Sequence, residues 1–167
     1  MDEKQVKESF TFYKYDTPKV WSEHHKQRGK QNLHMGSCGG LNIGVQVVLK
    51  GGETNSHAHP GSESSWYVLG GRVKFYGAGD TLVAELSKGQ GIFIPAGVPY
   101  WFESASEEVL ELLHITSRVP GGKRGRVNFE RMLNQQDHRA HEQRGSRDAT
   151  PEELAAGRVL KEGAPAE

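Results

Sequence analysis

Six short apolar runs in the middle of the chain set the strongest limit on its fold. LNIGVQVVL, SSWYVLGG, RVKFYG, TLVAEL, GIFIP and EVLELLHIT follow one another between about Gly36 and Ser117. Gly, Pro, Asp, Asn or Ser interrupts them roughly every eight to twelve residues, the spacing of a chain that turns back on itself repeatedly. The runs are of strand length and rich in β-branched and aromatic residues, and no helix-length periodic segment separates them. Short strands in such succession pair antiparallel into a sandwich or barrel. The fold class is all-β.

The flanks differ in composition. Residues 1–34 are polar and charged, broken by Phe10, Phe12, Tyr13 and Tyr15, and read as an N-terminal extension whose aromatics suit a barrel edge or a dimer interface. Residues 35–119 form the barrel. Residues 120–167, opened by Pro120-Gly121-Gly122, read as a polar, partly helical tail. Within it Asn128 to Arg144 is compatible with a helix. Thr150-Pro151-Glu152-Glu153 carries a helix-start signature: Thr150 as N-cap, Pro151 in the first turn and Glu153 closing a capping box. The tail is too polar for a core of its own, so it packs on the barrel, packs on a partner subunit or stays mobile.

Charge narrows the partners. The 167 residues hold 21 basic and 21 acidic side chains, a formal net charge of zero, so no global field draws nucleic acid or an anionic membrane. The basic group Lys123, Arg124 and Arg126 lacks the interleaved aromatics of a nucleic-acid surface. A single cysteine, Cys38, rules out an internal disulfide framework and fits a reducing compartment. With no signal-peptide pattern at Met1 to Gln5 and no apolar run of membrane-spanning length, the expectation is a soluble, cytoplasmic protein.

Gly51 to Gly71, GGETNSHAHPGSESSWYVLGG, carries the chemistry. In an extended strand His57 and His59 project to one face, and the turn at Pro60-Gly61-Ser62 can bring Glu63 back towards them. Two imidazoles and a carboxylate make the facial set of non-haem iron and related divalent sites. The other histidines are weaker candidates. His114 lies alone on a late strand, the usual setting of a packed, hydrogen-bonded residue. His24-His25, His138 with His141, and His34 with Cys38 all lack a completing ligand.

These residues resemble the cupin superfamily. Gly51, five residues, His57-x-His59, three residues, Glu63, six residues and Gly70 follow its first signature motif. Gly89, five residues and Pro95-x-Gly97 follow the second. The two motifs and the strands between them cover about half the chain. The resemblance implies a double-stranded β-helix, or jelly roll, with a metal inside one mouth, and a homodimer. It departs from the family where a third histidine is usual: Tyr100 stands there, and Ser104 replaces a frequent asparagine. Tyr100 is then a phenolate ligand, or an acid/base beside a three-ligand metal, or the sign of a barrel that has lost its metal. Iron is the favoured ion, then manganese, with zinc or nickel possible.

Alternation places further residues. If Glu63 faces inward, Ser65, Tyr67 and Leu69 share its face and Trp66 and Val68 face away. Phe102 shares the face of Tyr100, and Gln46 is a candidate for orienting a ligand. Tyr67, Phe102 and Gln46 make up the expected substrate pocket, whose aromatic character favours a small organic molecule. The functional expectation is a metal-dependent enzyme, dioxygenase-type, acting on an aromatic or dicarbonyl-like compound. A redox-neutral lyase, isomerase or decarboxylase and a non-catalytic ligand-binding barrel are the alternatives.

Overall fold

The computed structural model describes residues 7, 10–50, 52–123, 125–130 and 146–159. Gly51, Arg124, the pair His138 and His141, and positions 131–144 of the helix-compatible stretch lie outside them.

Each apolar run becomes a strand. After a short helix, Glu23–Arg28, come β1 (Lys30–Cys38), β2 (Leu41–Val48), β3 (His57–Ala58), β4 (Ser62–Gly70) and β5 (Arg72–Tyr76). β6 (Leu82–Ser87), β7 (Gly91–Ile94), β8 (Trp101–Ser104) and β9 (Leu110–Arg118) complete the barrel, and β10 (Val127–Asn128) and β11 (Arg147–Asp148) follow. A five-stranded sheet runs in the order β1-β2-β9-β4-β7. It opens at Lys30, within the stretch that composition sets apart as an extension. Two three-stranded sheets, β6-β5-β8 and β11-β10-β3, are joined by a bridge between His57 and Tyr100 into a second layer.

Register decides which residues face the interior. Side chains directly opposite across a pair share a face. Val48 lies opposite Leu110, Gln46 opposite Leu112, and Leu112 opposite Val68, while Gly44, His114 and Trp66 form the next row. Val48, Leu110, Leu112, Val68 and Trp66 join Val73, Phe75 and Phe102 from the second layer in one buried cluster. The concave face of β4 is therefore Ser64, Trp66 and Val68, and Glu63, Ser65, Tyr67 and Leu69 take the other side. This inverts the alternation expected from the sequence. The phase is set at the far end of the strand, where a register shift lies between Val68 and Gly70 and the left-handed turn residue is Gly71, at φ +75°. A one-residue shift exchanges the two faces of a strand.

The N-terminal segment lies against the outer side of the five-stranded sheet, where Tyr15 meets Glu111 and Gln31 donates to the Val20 carbonyl at 3.1 Å. Phe10, Phe12 and Tyr13 stay exposed. The described part of the tail packs on the barrel. Asn128 begins no helix: Val127 and Asn128 pair antiparallel with Ala58 and His57. The expected capping box at Thr150 and Glu153 is present and starts the helix Pro151–Ala156. Arg147 grips the buried Glu153 carboxylate with two bonds of 2.6 and 2.8 Å, and Val159 donates to the Gly97 carbonyl at 3.1 Å. Among the described residues no helix is long and apolar enough to cross a membrane.

Candidate functional site

The two sequence motifs meet through their backbones. His57 N donates to Tyr100 O at 3.0 Å and Tyr100 N to His57 O at 2.9 Å, which lays the two rings against each other with centroids 4.7 Å apart. His57 Nδ1 donates to the Asn55 carbonyl at 2.8 Å, which leaves Nε2 as the acceptor nitrogen. His59 follows two residues on, its ring 5.1 Å from that of His57 and its Nδ1 towards the Gly125 carbonyl at 3.4 Å. Strands β4 and β9 contribute the facing wall. Trp66 and His114 stack flat, 3.6 Å apart, and His114 Nε2 is hydrogen-bonded to the buried Ser64 hydroxyl at 3.2 Å.

Burial governs the protonation of this group. His57 is held neutral, far below its ordinary range, first by desolvation and then by the nearby Arg126, His59 and Lys30. Desolvation pushes His114 down to about 3, with the charge of His59 acting in the same sense. The Tyr100 phenol is pushed up to about 12 by burial, against smaller opposing effects of Trp66, Arg126 and Ser64. Its hydroxyl makes no well-formed hydrogen bond among the described residues, nor does the Trp66 indole nitrogen.

Behind His57 lies a buried polar network supplied by the tail. Arg126, 8 % exposed, donates from Nε to Asn128 Oδ1 at 2.8 Å and from its terminal nitrogen to Asn55 Oδ1. Asn55 Nδ2 donates to the Glu130 carbonyl at 2.7 Å. The guanidinium thus holds the residue whose carbonyl holds His57, and places positive charge beside the ring.

A family model described as "Cupin domain" matches residues 44–116, the span of β2 to β9 that carries this site. Residues 44–116 are a cupin domain. The chain superposes on the Schizosaccharomyces pombe Cnp3 cupin domain with TM-score 0.54 and 16 % identity, covering 64 % of this chain and 74 % of that one. An uncharacterised conserved Klebsiella pneumoniae protein with a double-stranded β-helix domain gives 0.53 and 14 %, over 67 % and 92 % of the two chains. An RmlC-like cupin protein from Desulfovibrio desulfuricans gives 0.51 and 19 %, over 62 % and 95 %. At these identities the likeness is one of fold. No curated protein matches the chain significantly. The barrel has a cavity of ≈ 280 Å³ on the concave face of β1, β2 and β9.

In this cupin the residues singled out from sequence divide. His57, His59 and Tyr100 come together. His114, the weak candidate, faces inward with them. Gln46 lines the cavity, and its Oε1 is buried without a partner among the described residues. Phe102 belongs to the core, packed against Trp66 and Phe75. Tyr67 is 43 % exposed on the outer face and Glu63 is exposed, because their strand runs in the opposite phase. Trp66 and Ser64 are the wall residues that the misplaced phase conceals. Arg126 and Asn55 had no local signal, since a tail residue 71 positions away in the chain completes their contact.

The donor set suits a divalent cation poorly. The inward position of β4 offers the Ser64 hydroxyl in place of a carboxylate, and the neighbouring fixed charge is a guanidinium. Tyr100 sits where burial favours the protonated phenol. Among the described residues no three His, Cys, Asp or Glu side chains gather closely enough to hold a metal ion.

Proposed function

We propose that this cupin catalyses redox-neutral proton transfer on a small carbonyl compound, an isomerase or lyase reaction, with His57 as base and Tyr100 as acid. The observation that carries the reading is the buried His57–Tyr100 pair, fixed by two reciprocal backbone hydrogen bonds. The neutral imidazole presents Nε2 as acceptor while the phenol keeps its proton and lacks a well-formed bond. His57 removes a proton from the carbon beside a substrate carbonyl. Tyr100 donates its proton to the carbonyl oxygen of an α-hydroxy carbonyl compound. The enediol then gives its other hydroxyl proton back to Tyr100 while His57 returns its proton to the former carbonyl carbon. This moves the carbonyl group by one position without net oxidation. Arg126 supplies positive charge to the oxyanion that forms between them.

The oxidative alternative is a dioxygenase acting on an aromatic or dicarbonyl-like compound, with iron or manganese on His57, His59, Glu63 and Tyr100. It requires Glu63 to leave the outer face and Tyr100 to lose a proton that burial retains. Two measurements separate the readings. Protein purified without chelators is analysed for metal, and solvent deuterium uptake into a panel of α-hydroxy carbonyl, 2-keto and 1,3-dicarbonyl compounds is followed in D2O. Exchange that disappears in both His57→Gln and Tyr100→Phe, in protein with far less than stoichiometric metal, supports proton transfer. Stoichiometric iron or manganese with oxygen consumption would establish the oxidative reading instead. Binding without exchange in any compound would make the barrel a non-catalytic binder.

A further inference from the structure

One row of side chains crosses the five-stranded sheet with a gap in it. Trp66 on β4, His114 on β9, Gly44 on β2 and His34 on β1 lie in register and share the concave face. Trp66 and His114 are stacked 3.6 Å apart with 1° between their planes. The next position has no side chain, so the second face of His114 looks out over Gly44 towards His34. Neighbouring strands are about 4.8 Å apart, which puts the strands of His114 and His34 roughly 10 Å apart, room for one flat ring between the two side chains. Gly44 is also held as glycine by its backbone surroundings: a Cβ there would sit 2.9 Å from the Leu33 carbonyl oxygen.

Carboxamides border this slot. Asn32 and Gln46 face each other on one side of the row, and Asn42 and Thr116 on the other. All four line the cavity with His34 and His114, and no Lys, Arg, Asp or Glu lines it. The buried Gln46 Oε1 lacks a donor among the described residues. A carboxamide offers one donor and one acceptor in a plane, the complement of the edge of a flat ring bearing both.

We propose that the slot over Gly44 binds a planar, uncharged heteroaromatic ring, stacked on the free face of His114 and hydrogen-bonded along its edge by Gln46 and Asn32. The ring extends the Trp66–His114 pile by one member. Nothing in this assignment depends on the proton-transfer reading, since binding is measured without turnover and either result can fail alone.

Adenine and hypoxanthine serve as planar uncharged probes, myo-inositol as a non-planar polar one and benzoate as a planar charged one. Calorimetry reads affinity, and the Trp66 indole N–H resonance reads the stack. The expected result is binding of a purine base with movement of the Trp66 signal and little or no binding of the other two. Gln46→Leu and His34→Ala should each weaken that binding about tenfold, the loss of one hydrogen bond or one stacking face. His34 is exposed at the sheet edge, so its variant keeps the fold if Gln46→Leu does not. Purines that bind no better than myo-inositol overturn the assignment. So does binding that is insensitive to the folded variants, or that leaves the Trp66 resonance in place.

Discussion

Ser64 gives the concave face of β4 a hydroxyl where Glu63, one residue earlier, points its carboxylate outward. It occupies an inward position of β4, is 4 % exposed, bonds to His114 and lies beside the Tyr100 phenol. If the histidines lack only a carboxylate, Ser64→Glu should create a divalent site with His57 and His59. Without metal the buried carboxylate lowers stability, because an ionised group in such a place is costly unless paired. Added Co²⁺ or Zn²⁺ should then raise the variant's Tm, since a ligand at a hundred times its Kd contributes about 2.7 kcal/mol. The double variant His57→Ala/Ser64→Glu should show no such rise. An equal metal-dependent shift in the unaltered protein would mean that its own donors already suffice.

At the scale of the strand, the two glycines after Leu69 report the phase of β4. Gly71 has φ +75°, and a Cβ there would lie 3.0 Å from the Val109 carbonyl oxygen and 3.1 Å from Leu110 Cα. Gly70 has neither constraint, its nearest neighbour being a Glu111 side-chain atom at 3.8 Å. Gly71→Ala should cost about 2–3 kcal/mol, from left-handed strain plus contact with rigid backbone, and Gly70→Ala under about 1 kcal/mol. Urea unfolding of the two variants decides between them, and the reverse order would restore Glu63 to the interior. The strands themselves were legible because each apolar run is bounded by turn residues. The capping box at Thr150 was legible because its contacts span three residues. The faces of β4 were not. Their phase depends on a bulge and on which of two adjacent glycines takes the left-handed conformation, and spacing alone does not choose. Arg126 was hidden for a different reason: its contacts with Asn55 and Asn128 exist only after β10 has paired with β3.

Over the whole molecule, two histidines locked neutral inside a barrel tie its stability to pH. The folded pKa values of His57 and His114 both lie below the ordinary 6.5, His114 at about 3. The unfolded chain therefore takes up protons first as the medium is acidified. The stabilisation is complete above about pH 6.5 and is lost as pH falls from there, for His114 down to about pH 3. In that interval each histidine removes up to about 1.4 kcal/mol of stability per pH unit. Exposed carboxylates contribute mainly below about pH 5, so the interval between pH 6.5 and 5 isolates the imidazoles. Urea midpoints at pH 7.5, 6.0 and 5.0 should fall steadily for the unaltered protein. His114→Gln, starting from a lower midpoint because the Ser64 bond and the Trp66 stack are altered, should fall with a shallower slope. Parallel lines for the two proteins would mean that His114 titrates alike folded and unfolded, and that the interior around Trp66 is wetter than its packing implies.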